Sequence, residues 1–146
     1  MSLQKSEGDY VKRRKPIKRI SSKQIILKHC DKLLFEILKI KRGGQCQVCG
    51  RPNPAPHHVF FKGMYPRLRF REDNIVLLCW HPCHYALHHH THDHPHYKRS
   101  YAKIKEVVGV NFNDRLKLAN QCAPAMTPFQ IQLIREALKQ ELETLQ

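Results

Sequence analysis

Two close pairs of cysteines, Cys46-Gln-Val-Cys49 and Cys79-Trp-His-Pro-Cys83, constrain this chain more than any other feature. Thiolates at such spacings meet the soft, tetrahedral preference of Zn²⁺. A four-cysteine zinc knuckle closed in this way clamps the start of a short module to the start of the helix that follows, which is the support a small core needs. Six cysteines also admit three disulfides, but Met1 to Tyr10 contains no apolar signal core and four of the six stand among histidines. Cys30 and Cys122 fall outside the pairs and read as ordinary buried thiols.

Charge points to the partner. Lys and Arg number 26 against 12 Asp and Glu, a formal net charge of +14, and such a field concentrates phosphate-bearing ligands. The longest apolar run, Ile75 to Trp80, is strand-sized and far from the ~18 residues of a membrane span. The expectation is a DNA-binding protein with no membrane segment, located in the cytoplasm.

Four segments follow from the pattern. Residues 1–21 form a basic arm; Lys12, Arg13, Arg14, Lys15, Lys18 and Arg19 suit a phosphate backbone. Residues 22–43 read as a helix capped at Ser22, with Ile25, Ile26, His29, Leu33, Leu34, Ile37 and Leu38 along one face and Gly43-Gly44 as the stop. Residues 44–96 form the metal module. In it His57 to Phe61 is expected to be a strand, Leu68 to Phe70 and Ile75 to Leu78 have strand character, and Cys83 to His90 should be helical. Residues 97–146 are a helical extension, with helices over 97–108 and 113–120. A last helix is capped at Thr127 and striped by Ile131, Ile134, Leu138, Leu142 and Leu145. That stripe packs on the domain or on a second copy, so the C-terminal helix is a candidate homodimer face.

Inside the module, His57-His58, Asn74, Cys83-His84 and His88 resemble the HNH (His-Asn-His) endonuclease family in its zinc-knuckle form, over about residues 45–90. The lead-in Arg67-Leu-Arg-Phe-Arg-Glu-Asp-Asn is similar to the segment before the central asparagine in many of these enzymes. There is a further resemblance to phage-encoded recombination endonucleases. The resemblance implies an α+β fold: a small ββα-metal core stapled by the knuckle and flanked by N- and C-terminal helices. It implies that His57, His84 and His88 hold a catalytic divalent ion, that His58 is the general base, and that Asn74 fixes the hairpin loop. It also implies DNA phosphodiester hydrolysis, leaving a 5′-phosphate and a 3′-hydroxyl. The second cysteine pair departs from the family by one extra residue, His81 or Pro82.

The chemistry is consistent with that expectation. Histidine, with an ordinary pKa of about 6.5, is a suitable base at neutral pH. Three imidazoles favour Zn²⁺, Ni²⁺, Mn²⁺ or Co²⁺, whereas Mg²⁺ prefers oxygen ligands, and the working ion stays open among them. Arg67, Arg69 and Arg71 alternate, so on a strand they would share one face and, with Lys62, contact DNA. The competing reading is a non-catalytic zinc-ribbon DNA-binding module, which accounts for charge and cysteines but not for His57, His58, Asn74 and His84 together. Duplex, branched and nicked substrates all remain open, and the histidine-rich run 88–96 has no assigned role.

Overall fold

In chain order the elements are α1 (Ser22–Arg42), β1 (Ala55–His58), β2 (Ile75–Leu78), α2 (Tyr85–His89), α3 (Pro95–Val108) and α4 (Pro128–Leu145). Short 3-10 turns cover Pro66–Leu68 and Glu72–Asn74, and a wide turn covers Trp80–His84. This computed structural model describes residues 21–109, 114 and 125–146. The six basic arm residues, Cys122 and nearly all of the helix expected over 113–120 lie outside the described residues. The architecture is a small α+β fold.

α1 starts one residue earlier than the sequence suggests. Ser21, not Ser22, is the cap: its hydroxyl accepts from the Gln24 N–H at 3.3 Å while the Gln24 side chain accepts from the Ser21 N–H at 3.2 Å. Gly43 ends the helix at φ 77°, where a side chain would be strained. Cys30, Leu34, Ile37 and Leu38 are its buried positions, whereas Ile25 and His29 of the expected stripe are exposed. α4 begins on a matching Thr127–Gln130 capping box and lays Ile131 and Leu138 against α1. Ile134 and Leu142 of its stripe are half-buried in the same cluster, and Leu145 is exposed.

β1 and β2 pair antiparallel, with Ala55 opposite Leu78 and His58 opposite Ile75. The first strand is shifted toward the N-terminus relative to expectation and stops at His58, because the next backbone groups turn to Asn74. The Val59 N–H donates to the Asn74 carbonyl at 2.9 Å, and the Asn74 side chain takes Phe60. β2 is apolar at every position because it is buried on both faces. Val76 and Leu78 pack with Phe60, Leu68, Ile104, Val108, Cys46, Cys79 and Cys83, while Ile75 and Leu77 pack with α1 and α4. Each such side chain contributes about 1.5–3 kcal/mol, so this one strand joins the metal module to the helical pair.

The expected strand at Leu68 to Phe70 is absent. Pro66–Leu68 is a 3-10 turn, and the chain from Val59 to Asp73 wraps around Asn74 instead of adding a strand. The arginines consequently do not form the alternating stripe. Arg69 makes a two-pronged ion pair with Asp31 of α1 at 2.9 and 2.6 Å, Arg71 pairs with Asp73 at 2.9 and 2.8 Å, and Arg67 is exposed. Lys62 also reaches Asp31, at 3.0 Å. Among the described residues, no helix is long and apolar enough to cross a membrane.

Candidate functional site

The knuckle forms as its spacing requires. Cys46 and Cys49 sit on a tight turn in which the Gly50 N–H returns to the Cys46 carbonyl at 2.8 Å and Gly50 takes φ 73°. The turn is fastened to β2 by the Gln47 N–H on the Leu77 carbonyl and the Leu77 N–H on the Gln47 side chain, both 2.8 Å. Arg42 at the end of α1 donates to the Ile75 and Glu72 carbonyls at 2.6 and 2.9 Å, holding the same edge. The extra residue in the second cysteine pair is absorbed locally. His81 leaves helical geometry at φ −131°, ψ 129°, and the His84 N–H reaches back five residues to Cys79. The four sulfurs still lie within 4.8 Å of one another.

These sulfurs fit a dication. Cys49 and Cys79 approach to 3.5 Å, well outside a disulfide bond, and the described cysteines are free thiols. Burial opposes ionisation of Cys46, yet the backbone N–H groups of Cys79, Cys49 and Val48 outweigh it and bring the thiol down to about 7. Burial pushes Cys83 and Cys79 up, and the neighbouring Cys49 thiol adds to it. Ionising all four in so small a space needs a positive centre to compensate them, and a dication such as zinc would supply that charge. The Ser100 hydroxyl donates to the Cys83 carbonyl at 3.1 Å, tying α3 to the knuckle.

A second cluster joins β1 to α2 and the turn before it. His57 from β1 meets His84 and His88, with ring centroids at 5.1 and 5.7 Å; His84 and His88 are 4.7 Å apart. One nitrogen from each of the three lies within 4.8 Å of the others. His84 and His88 converge because four residues make about one helical turn. Burial pushes His57 down to about 4, and the positive charges that His84 and His88 would carry push it the same way. Burial also lowers His84, followed by His88. At neutral pH His57 and His84 thus present lone pairs. The Nδ1 of His84 is buried without a hydrogen-bond partner, a cost of about 1–3 kcal/mol that a bound cation would remove. The donor set and this orphaned nitrogen fit a divalent transition ion.

His58 points elsewhere, as adjacent strand residues must. Its Nε2 lies 3.0 Å from the Arg69 carbonyl. A carbonyl only accepts, so Nε2 carries the hydrogen and Nδ1 keeps the lone pair. Burial holds His58 below its ordinary 6.5, although the Arg69 carbonyl opposes this. Asn74, 2% exposed, fixes the segment that supplies that carbonyl. Its Oδ1 accepts from the Phe60 N–H at 2.7 Å, and its Nδ2 donates to the Phe60 and Leu68 carbonyls at 3.1 and 2.9 Å.

The structure therefore brings together Cys46, Cys49, Cys79 and Cys83, and separately His57, His84 and His88, with His58 and Asn74 at the same hairpin end. Lys62, Arg67, Arg69 and Arg71 are distributed over the adjoining loop. Sequence reasoning missed Asp31, which orders Lys62 and Arg69 from α1, and carries no local signal for it. It also missed Trp80, 65% exposed and stacked on His84 at 4.9 Å; its position between two metal-ligating types was the available clue. Compared with known protein families, curated proteins and solved structures, the chain has no match.

Proposed function

We propose that this chain is a metal-dependent DNA endonuclease of the HNH kind that hydrolyses phosphodiester bonds. The observation that carries the proposal is the convergence of His57, His84 and His88 at a hairpin end that also carries His58, whose tautomer is set by a backbone carbonyl. His57, His84 and His88 would hold the divalent ion, and Cys46, Cys49, Cys79 and Cys83 a structural zinc. An ion at the histidines supplies Lewis-acid stabilisation of charge on the phosphoryl oxygens and the departing alkoxide.

The chain's own residues do the rest. Nδ1 of His58 accepts a proton from the attacking water as its oxygen bonds to phosphorus and the phosphorus–O3′ bond breaks. The departing O3′ takes a proton from a second water, so the products are a 5′-phosphate and a 3′-hydroxyl. Asn74 is a positioning residue: by pinning Phe60 and Leu68 it holds the loop whose Arg69 carbonyl orients His58. Arg67 and the basic arm residues Lys12, Arg13, Arg14, Lys15, Lys18 and Arg19 supply backbone contacts, joined by Lys62, Arg69 and Arg71 to the extent that phosphate competes with Asp31 and Asp73.

Supercoiled plasmid incubated with Mn²⁺, Ni²⁺ or Mg²⁺ tests this directly. Nicking or linearisation by the wild type is expected, with loss on adding EDTA and in His58→Ala. No cleavage under any ion would leave a basic, zinc-stapled DNA-binding module. Equal cleavage by His58→Ala would remove His58 from its role.

A further inference from the structure

We infer that the outer face of α3 is a stacking groove for unpaired bases of single-stranded DNA. Lys98, Tyr101, Ala102 and Lys105 recur at helical spacing and share an exposed face that flanks the buried Ser100, Ile104 and Val108. With Tyr97, and His92 from the preceding connection, they line a shallow groove of about 340 Å³. Its rings are nearly parallel: His92 and Tyr97 lie 4.8 Å apart at 15°, and Tyr97 and Tyr101 lie 5.8 Å apart at 19°. The Lys105 ammonium sits 4.9 Å from the Tyr101 ring centre.

Three features favour a base as the occupant. Near-parallel rings accept any base by its π-face, without sequence preference. Tyr101 is 36% exposed, and it is covered by a cation that a base can displace toward its own phosphate. The charged groups beside the rings are mainly cationic: Asp93 lies 3.7 Å from Lys98, and Glu106 is engaged by Lys103 at 2.7 Å. A chain of +14 draws a polyanion to such a face. His92 lines the groove four residues beyond His88, and α3 packs against α2. A strand held there lies alongside the helix that bears His88. The groove thereby gives the histidine-rich run a function, in which His92 is an aromatic wall.

The choice of DNA rests on the nuclease proposal, whereas the stacking does not. Fluorescence polarisation of a labelled oligodeoxynucleotide, single-stranded or annealed to its complement, reads the groove. Zinc-loaded His58→Ala protein serves as the background, so that nothing is cleaved. Tyr101→Ala in that background is expected to weaken single-stranded binding about 10-fold and duplex binding less than about two-fold, with Tyr101→Phe within about two-fold of the parent on both. Tyr97→Leu, which keeps an apolar side chain but no ring, should reproduce the loss, with circular dichroism verifying the helix. An equal change on both DNA forms, or no change on either, overturns the inference. Ring-dependent single-strand binding by a wild type that cleaves no plasmid would sustain the groove and sink the nuclease proposal. Plasmid cleavage without ring dependence would do the reverse.

Discussion

Asn74 and His58 show how single side chains set the chemistry here. Asn74 satisfies three backbone groups from a position almost fully removed from water. Asn74→Ala leaves the Phe60 amide and two carbonyls without that partner, and each unsatisfied group costs about 1–3 kcal/mol before relaxation. Urea denaturation is expected to show a net loss of about 2–4 kcal/mol, with cleavage falling further than the folded fraction because the His58 carbonyl partner moves. His58→Ala is different. It removes one hydrogen bond at a partly buried site, so the melting temperature should stay within a few degrees while the cleavage rate drops by about 10²–10⁴-fold. A melt as depressed as that of Asn74→Ala would make His58 a structural residue.

At the scale of elements, two fasteners connect the module to the rest. The knuckle is one: Cys49→Ser, or chelation of the wild type, should lower the melting temperature, and added Zn²⁺ should restore the chelated wild type only. Equal melts for wild type and Cys49→Ser would rule out a structural ion there. The other fastener is Asp31, which joins α1 to the loop through Arg69 and Lys62. Burial alone would raise the Asp31 carboxyl, but the Arg69 and Lys62 hydrogen bonds outweigh it and hold it below its ordinary 3.8. A carboxylate with a depressed folded-state pKa stabilises fully above its unfolded value and loses that contribution as pH falls through the folded value. Asp31→Asn should therefore cost about 2 kcal/mol at pH 7. Its deficit relative to wild type should be flat down to about pH 5 and shrink below 3.8. A deficit that grew with acidification would show that the pair does not act this way.

For the whole molecule, the excess of basic residues is the property that matters. Affinity for duplex DNA should fall linearly in log–log salt titrations, with a slope of about −0.9 per phosphate neutralised. Deleting residues 1–20 removes Lys12, Arg13, Arg14, Lys15, Lys18 and Arg19 and keeps the Ser21 cap of α1. The slope should become shallower by several units of phosphate contact, without change in the melting temperature. An unchanged slope would take the arm out of the DNA footprint. On α4, Ile131 and Leu138 are buried against α1, whereas Leu145 at the end of the stripe is exposed.

Local spacing was readable in the amino-acid order because it needs no tertiary partner. The cysteine pairs, the one-turn separation of His84 and His88, the Thr127 cap and the Gly43 stop each depend on residues within a turn of one another. Long-range competition decided everything else. Arg67, Arg69 and Arg71 alternate like a strand, but Asn74 draws that backbone around itself and Asp31, distant in the chain, takes Arg69. The shift of β1 has the same origin. A backbone group follows whichever hydrogen-bond partner the assembled fold offers, and periodicity along the chain carries no record of that partner.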